Sequence, residues 1–136
     1  MKPTKENIQS LIHLALSEDA PQGDATTQAV VPLDAFSGFK IIAKEEVVVC
    51  GSDIAVEFFS QLSQGFVFDK VAKDGELLQT GDILLSGKGP SRTILTAERS
   101  ILNIMHRLCG IATLTRSFVQ KTEGSGITIL DTRKTA

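Results

Sequence analysis

The stretch Ile127-Thr128-Ile129-Leu130 followed by Asp131-Thr132-Arg133-Lys134-Thr135-Ala136 decides how this chain is read. Four apolar or β-branched residues in a row predict a short buried strand. Because a long helix leads into it, that strand is expected to be parallel to its neighbours. An arginine and a lysine follow at its C-terminal end, the rim where parallel α/β sheets place their ligands. A guanidinium beside an ammonium suits carboxylate or phosphate. The expectation is the front part of an enzyme, ending where its active site begins.

Upstream, Leu95, Ile101, Leu102, Met105, Leu108, Ile111, Ala112, Leu114 and Phe118 recur at helical spacing, which predicts one long helix from Ser91 to Gly124. Its wide apolar arc predicts heavy burial along its length, with Gly110 as a break or a point of close packing. Before it, short Ile-, Val- and Phe-rich runs alternate with turn signals. Phe39–Val49 predicts two short strands or one bent strand. Lys73-Asp74-Gly75-Glu76, Thr80-Gly81-Asp82 and Gly87-Lys88-Gly89-Pro90 read as turns of a small antiparallel sheet. Gly51-Ser52-Asp53 opens a helix over Ile54–Leu62, with Ser52 or Asp53 as its N-cap. At the N-terminus, Thr4 precedes an apolar stripe Ile8, Leu11, Ile12, Ala15, Leu16, an amphipathic helix and not a signal peptide. The fold class is therefore α+β. The organisation is a helix, a mixed sheet with one helix, a long helix, and then the first strand of a further unit.

The totals narrow the function classes. The 136 residues carry a net charge of -2, with 42% hydrophobic and 22% charged residues. No broad basic field exists for nucleic acid or anionic membrane, so any anion site must be local. No apolar segment reaches transmembrane length, and a cytoplasmic location is expected. Cys50 and Cys109 sit among apolar neighbours and read as reduced core thiols. Two histidines without Cys/His spacing do not suggest zinc.

Three further places carry polar chemistry. Arg99, Asn103 and His106 share one face of the long helix, with Glu98 as a possible ion-pair partner. Asp24 and the threonines of Gly23-Asp24-Ala25-Thr26-Thr27 suit a capped turn. His13, between Ile12 and Leu14, reads as a packed or surface side chain.

Together these stretches resemble the quinolinate phosphoribosyltransferase family. The resemblance is carried by Glu18-Asp19 with Gly23-Asp24-Ala25-Thr26-Thr27, by Ala97-Glu98-Arg99 with Leu102-Asn103, by Leu108-Cys109-Gly110-Ile111-Ala112-Thr113, and by Asp131-Thr132-Arg133-Lys134-Thr135. Their order and rough spacing match along nearly the whole chain. Ala136 departs from the family's usual proline and glycine.

The resemblance implies a two-part fold, with residues 1–110 as an N-terminal α/β sandwich domain and residues 111–136 as the start of an incomplete α/β barrel. It implies phosphoribosyl transfer from phosphoribosyl pyrophosphate to quinolinate with decarboxylation. The products are nicotinate mononucleotide, pyrophosphate and carbon dioxide, a step of NAD biosynthesis. It also implies magnesium, bound by residues downstream of this chain, and a homodimer with shared active sites. Arg99 would be lent to the neighbouring subunit's site, while Thr132, Arg133 and Lys134 would hold substrate in their own. The chain alone is expected to be inactive. The molybdenum-transport-associated relatives of this enzyme share Gly-Asp-x-Thr-Thr and Arg-Lys-Thr and form the nearest alternative. A carrier-like hairpin around Lys73 or a dimerisation module comes after that.

Overall fold

A computed structural model describes residues 3–19 and 23–132. Four helices, α1 (Lys5–Asp19), α2 (Ala25–Val30), α3 (Ser52–Leu62) and α4 (Ser91–Thr122), accompany five strands. These are β1 (Phe36–Ile42), β2 (Val47–Val48), β3 (Val67–Val71), β4 (Leu77–Leu78) and β5 (Ile83–Pro90). One sheet has the order β1-β5-β3 and the other pairs β2 with β4, all antiparallel. The α+β class read from the sequence is the class found.

The N-terminal helix starts as Thr4 predicts. The Thr4 hydroxyl accepts from the Asn7 N–H at 3.2 Å, and Asn7 Oδ1 accepts from the Thr4 N–H at 3.1 Å. This reciprocal capping satisfies two otherwise orphaned donors. The helix buries Ile12, and Asp19 near its end accepts a 2.5 Å hydrogen bond from the Ser100 hydroxyl of α4.

The core lies between the sheets and helices α3 and α4. Phe58, Val49, Leu85 and Ala97 are completely buried, with Ala55, Ile101, Met105 and Leu78 around them. Phe39, Phe59, Phe66 and Phe68 form a ring cluster with centroids 4.8 to 6.4 Å apart, mostly tilted or edge-on. The quadrupoles of the rings favour such tilted and edge-on arrangements over a face-to-face sandwich. Each fully buried Phe or Leu contributes roughly 1.5–3 kcal/mol relative to exposure.

Two glycines permit the cluster. The sequence reads Gly87-Lys88-Gly89-Pro90 as a turn, but these residues belong to β5. A Cβ on Gly87 would stand 2.4 Å from the Val67 carbonyl oxygen, and one on Gly89 would stand 2.2 Å from the Phe66 ring. Here glycine marks close approach in a central strand, not a reversal of the chain.

The start of α3 also differs from expectation. Its N-cap is Gly51 in the left-handed region, with no side-chain cap of its own. Asp74, far along the chain, accepts from the N–H groups of Gly51 (2.9 Å) and Ser52 (3.1 Å). The Lys73–Glu76 turn therefore serves as a remote cap, satisfying donors that Ser52 or Asp53 would satisfy locally.

Helix α4 stitches the second sheet to the first layer. Alternate residues of the β2 segment present their backbone groups to opposite sides. Val49 exchanges hydrogen bonds with the turn before β4, through Glu76 O and Gly75 N–H. Val48 and Cys50 face α4. The Val48 N–H donates to Thr113 Oγ1 at 2.9 Å, and the Cys50 N–H donates to Cys109 Sγ at 3.3 Å. The Cys109 thiol donates back to Cys50 O at 3.4 Å. A helix face thus closes a sheet edge with side chains at i and i+4.

Three expectations about α4 and its sequel need correction. The helix runs unbroken through Gly110, and no atom lies within 4 Å of a Cβ placed there. Burial is confined to the first two thirds, at Ser91, Ala97, Ser100, Ile101, Met105 and Cys109. Beyond them, Ile111, Leu114 and Phe118 are more than half exposed, because no described element lies over that end. Ile127–Leu130 forms no strand, and Leu130 is 77% exposed. An apolar run becomes a buried strand only when another strand offers its backbone groups, and the described residues hold none beside it.

Candidate functional site

The exposed face of α4 carries the polar stripe. Arg99, Asn103 and His106 are exposed and, with Glu98, Leu95 and Leu102, line a surface depression of about 420 Å³. Ala97, Ser100 and Ile101 point to the other side and are buried, which fixes how the helix is turned. The depression is therefore a consequence of periodicity: the core claims one arc, and the stripe at i, i+4 and i+7 is left outward.

Among the described residues, no side-chain hydrogen bond or ion pair engages Arg99, Asn103 or His106, and the suggested Glu98–Arg99 pair is not formed. Arg92, one helix segment earlier, makes the contrast. Its Nε donates to Val31 O at 2.8 Å and its Nη2 to Gln28 O at 3.0 Å. Those carbonyls lie at the C-terminal end of α2, where a cation is favoured. Arg92 is committed to structure, while Arg99 has its five donors turned to solvent.

A second groove adjoins the first at Leu102 and His106. It measures about 460 Å³ and lies between α4 and the end of β1. Met105, Cys109 and Leu84 supply apolar wall, and Lys40 and Lys44 add cations against Glu45. On a chain with a net charge of -2, the two hollows set Lys40, Lys44 and Arg99 against Glu45 and Glu98, a small local excess of positive charge.

The remaining candidate residues fall differently. Thr132 is exposed, and its N–H donates to Asp131 Oδ1 at 2.8 Å. It is not among the residues lining the α4 depression. Arg133 and Lys134 lie outside the described residues. His13 is exposed on α1. Asp24 is the N-cap of α2, accepting from the Thr27 N–H at 3.0 Å and from the Thr27 hydroxyl. The hydroxyl bond, then the N–H bond, hold its carboxyl below the usual carboxylate range. The Gly23–Thr27 motif is thus a capped helix start.

Cys50 and Cys109 are free thiols. Burial raises both above the ordinary thiol range. The negative charge of Asp74 adds to the rise at both, and Cys109 is partly offset by its hydrogen bond with the Cys50 backbone. Neutral thiols of this kind are poor nucleophiles. Sequence reasoning passed over Asp74, Arg92, Thr113, Lys40 and Lys44. Only Thr113 carried a signal, as the last residue of the Leu108–Thr113 motif, four residues after Cys109 on one helix face.

No group of three His, Cys, Asp or Glu side chains converges as a metal site among the described residues. No helix among them is long and apolar enough to cross a membrane.

Comparison with known proteins agrees with this architecture. Residues 24–109 match the model of the quinolinate phosphoribosyl transferase N-terminal domain. The chain is 37% identical over 131 residues to quinolinate phosphoribosyltransferase [decarboxylating] 1b of Nicotiana tabacum, covering 96% of this chain and 37% of that protein. It is 35% identical over 128 residues to the probable nicotinate-nucleotide pyrophosphorylase [carboxylating] of Bacillus subtilis, covering 94% of this chain and 44% of that protein. The crystal structure of NadC from Streptococcus pyogenes superimposes over the whole chain and 48% of its own length, with a TM-score of 0.92 at 31% identity. The chain spans less than half the length of each of these relatives. Its fold, its motifs and these matches agree: the chain belongs to the quinolinate phosphoribosyl transferase N-terminal domain family.

Proposed function

We propose that this chain is the N-terminal portion of a quinolinate phosphoribosyltransferase and that its part in the reaction is to lend Arg99 to the active site of a second subunit. The observation that carries the reading is the Arg99 guanidinium on an exposed α4 face, without a partner among the described residues and beside a depression sized for a small ligand. Relatives whose names specify decarboxylating quinolinate phosphoribosyl transfer supply the substrate class.

Quinolinate brings two adjacent carboxylates. Taking both out of water is costly unless cations meet them. Arg99 from one subunit, with Arg133 and Lys134 of the other, supplies three positive charges, and Thr132 helps hold a carboxylate. The pyridine nitrogen then forms a bond to the anomeric ribose carbon. The C–O bond to pyrophosphate breaks, and its electron pair leaves with pyrophosphate. With the ring nitrogen positive, the adjacent carboxylate leaves as carbon dioxide, and the ring carbon keeps the electron pair and takes a proton. Catalysis of this kind rests on positioning and electrostatic stabilisation and needs no covalent nucleophile.

Magnesium accompanies pyrophosphate in this reading. The described residues offer no cluster fitted to it, so its ligands are assigned to the portion of the relatives that this chain does not cover. The same holds for the strands of the barrel that the family resemblance implies. A homodimer in the cytoplasm completes the proposal, and the 136 residues alone are expected to be inactive.

The test is complementation in the full-length protein. Arg99→Ala and Arg133→Ala proteins, each inactive, are mixed under conditions that exchange subunits, then assayed for nicotinate mononucleotide formed from quinolinate and phosphoribosyl pyrophosphate. Recovery toward a quarter of wild-type turnover is expected, roughly the statistical yield of one intact site per hybrid dimer. No recovery despite verified exchange contradicts a shared site. A wild-type protein without transferase activity sends the assignment to the molybdenum-transport-associated relatives.

A further inference from the structure

Arg99, Asn103 and His106 form a line of donors with no partner among the described residues. At 1.5 Å per residue, Asn103 lies about 6 Å and His106 about 10 Å along the helix from Arg99, all within an arc of about 60°. All three line one depression, and Leu95 and Leu102 give it an apolar wall against which a flat ring can rest. His106 alone of the three also lines the neighbouring groove with Lys40 and Lys44. It therefore stands at the junction of the Arg99 depression and a second source of positive potential.

From this placement we propose that His106 is a further substrate-contacting residue, donating a ring N–H to one carboxylate of the pyridine dicarboxylic acid whose other carboxylate pairs with Arg99. The inference rests on the reading that Arg99 is lent across a dimer. The chemistry divides naturally between the two side chains. A guanidinium fork takes one carboxylate in bidentate fashion. An imidazole offers an N–H in either neutral tautomer, without requiring a second full charge in the pocket. Asn103 lies between them and spaces the two contacts. No bond is made or broken by His106; it orients the acid so that the pyridine nitrogen faces the ribose carbon.

The experiment uses full-length protein and steady-state kinetics on quinolinate and phosphoribosyl pyrophosphate separately. A hydrogen bond to a charged group is worth about 1.5–3 kcal/mol, so His106→Ala is expected to raise KM for quinolinate about tenfold or more. KM for phosphoribosyl pyrophosphate and kcat are expected to stay within about twofold, and His106→Gln, which keeps a donor, to recover most of the loss. Because His106 is exposed, the thermal midpoint should not move. In the hybrid dimers described above, the raised KM should follow the Arg133→Ala chain that lends Arg99. Placed on the Arg99→Ala chain, the same substitution should leave the one working site unaffected.

Three results overturn the inference. The first is an unchanged quinolinate KM in His106→Ala while Arg99→Ala is crippled, which leaves the shared-site reading standing. The second is a fall in kcat and thermal midpoint together without rescue by glutamine, which marks His106 as structural. The third is wild-type binding in Arg99→Ala itself, which removes the underlying reading and this one with it.

Discussion

Gly87→Ala tests the packing of the sheet most severely. The added Cβ would stand 2.4 Å from Val67 O and 3.1 Å from Phe68 Cα, both backbone atoms of the adjacent strand. Neither can rotate away, and Phe39 Cε1 at 3.3 Å blocks a third direction. Relief requires β3 to separate from β5 near Val67 and Phe68, where their ladder already shifts register. Overpacking of this kind costs about 1–3 kcal/mol. The strand separation puts the value at the upper end, about 2–3 kcal/mol. That is on the order of a 30- to 150-fold loss in the folded-to-unfolded ratio. Urea unfolding of the 136-residue chain, followed by circular dichroism, should show a lower midpoint with little change in slope. Gly110→Ala is the matched control. Its Cβ meets nothing within 4 Å, and alanine inside a helix is favoured over glycine by about 0.5–1 kcal/mol, so this variant should be more stable than wild type. A Gly87→Ala protein within about 0.5 kcal/mol of wild type would show that the approach of β3 to β5 is looser than the geometry states. A destabilised Gly110→Ala chain would place an unrecognised contact on that helix face.

Asp74→Ala should cost about 1–2 kcal/mol, the usual loss for an N-cap, because two buried N–H groups at the start of α3 lose their acceptor; Asp74→Asn should restore most of it in the same unfolding assay. Both thiols should alkylate slowly with iodoacetamide at neutral pH and react at ordinary rates only under alkaline conditions, since burial, with the charge of Asp74, raises them; Asp74→Asn should speed the reaction. Asp24 should make stability depend on acid. Its folded value lies below the unfolded one, near 3.9, so its contribution is fully present above that range and is lost as pH falls through the lower folded value. Asp24→Asn should remove this part of the acid sensitivity of the unfolding midpoint.

Local patterns could be read from sequence where the physics is local. Thr4 caps α1 with Asn7 three residues on, and Asp24 caps α2 with Thr27 at the same spacing. The apolar period of α4 fixed the helix and turned Arg99, Asn103 and His106 to one face. What escaped is what depends on distant partners. Asp74 caps a helix that begins 22 residues earlier. Gly87 and Gly89 look like turn residues until a neighbouring strand and ring occupy the space of their missing side chains. Apolar stripes record which residues seek burial and not what covers them. For that reason Ile111, Leu114, Phe118 and Ile127–Leu130 read as core and stand exposed. The candidate site divides in the same way. The donor line follows from helix geometry, while Lys40 of β1 and Lys44 just beyond it, which adjoin that line, come from another part of the chain.

The central claim is that the Arg99 guanidinium, lent across a dimer, meets a carboxylate of quinolinate. Calorimetric titration of quinolinate into the full-length dimer, wild type against Arg99→Ala, tests it most directly. An unpaired carboxylate in a partly dry pocket costs about 3–5 kcal/mol, so binding should weaken by roughly two to four decades. A dissociation constant within threefold of wild type would contradict the claim.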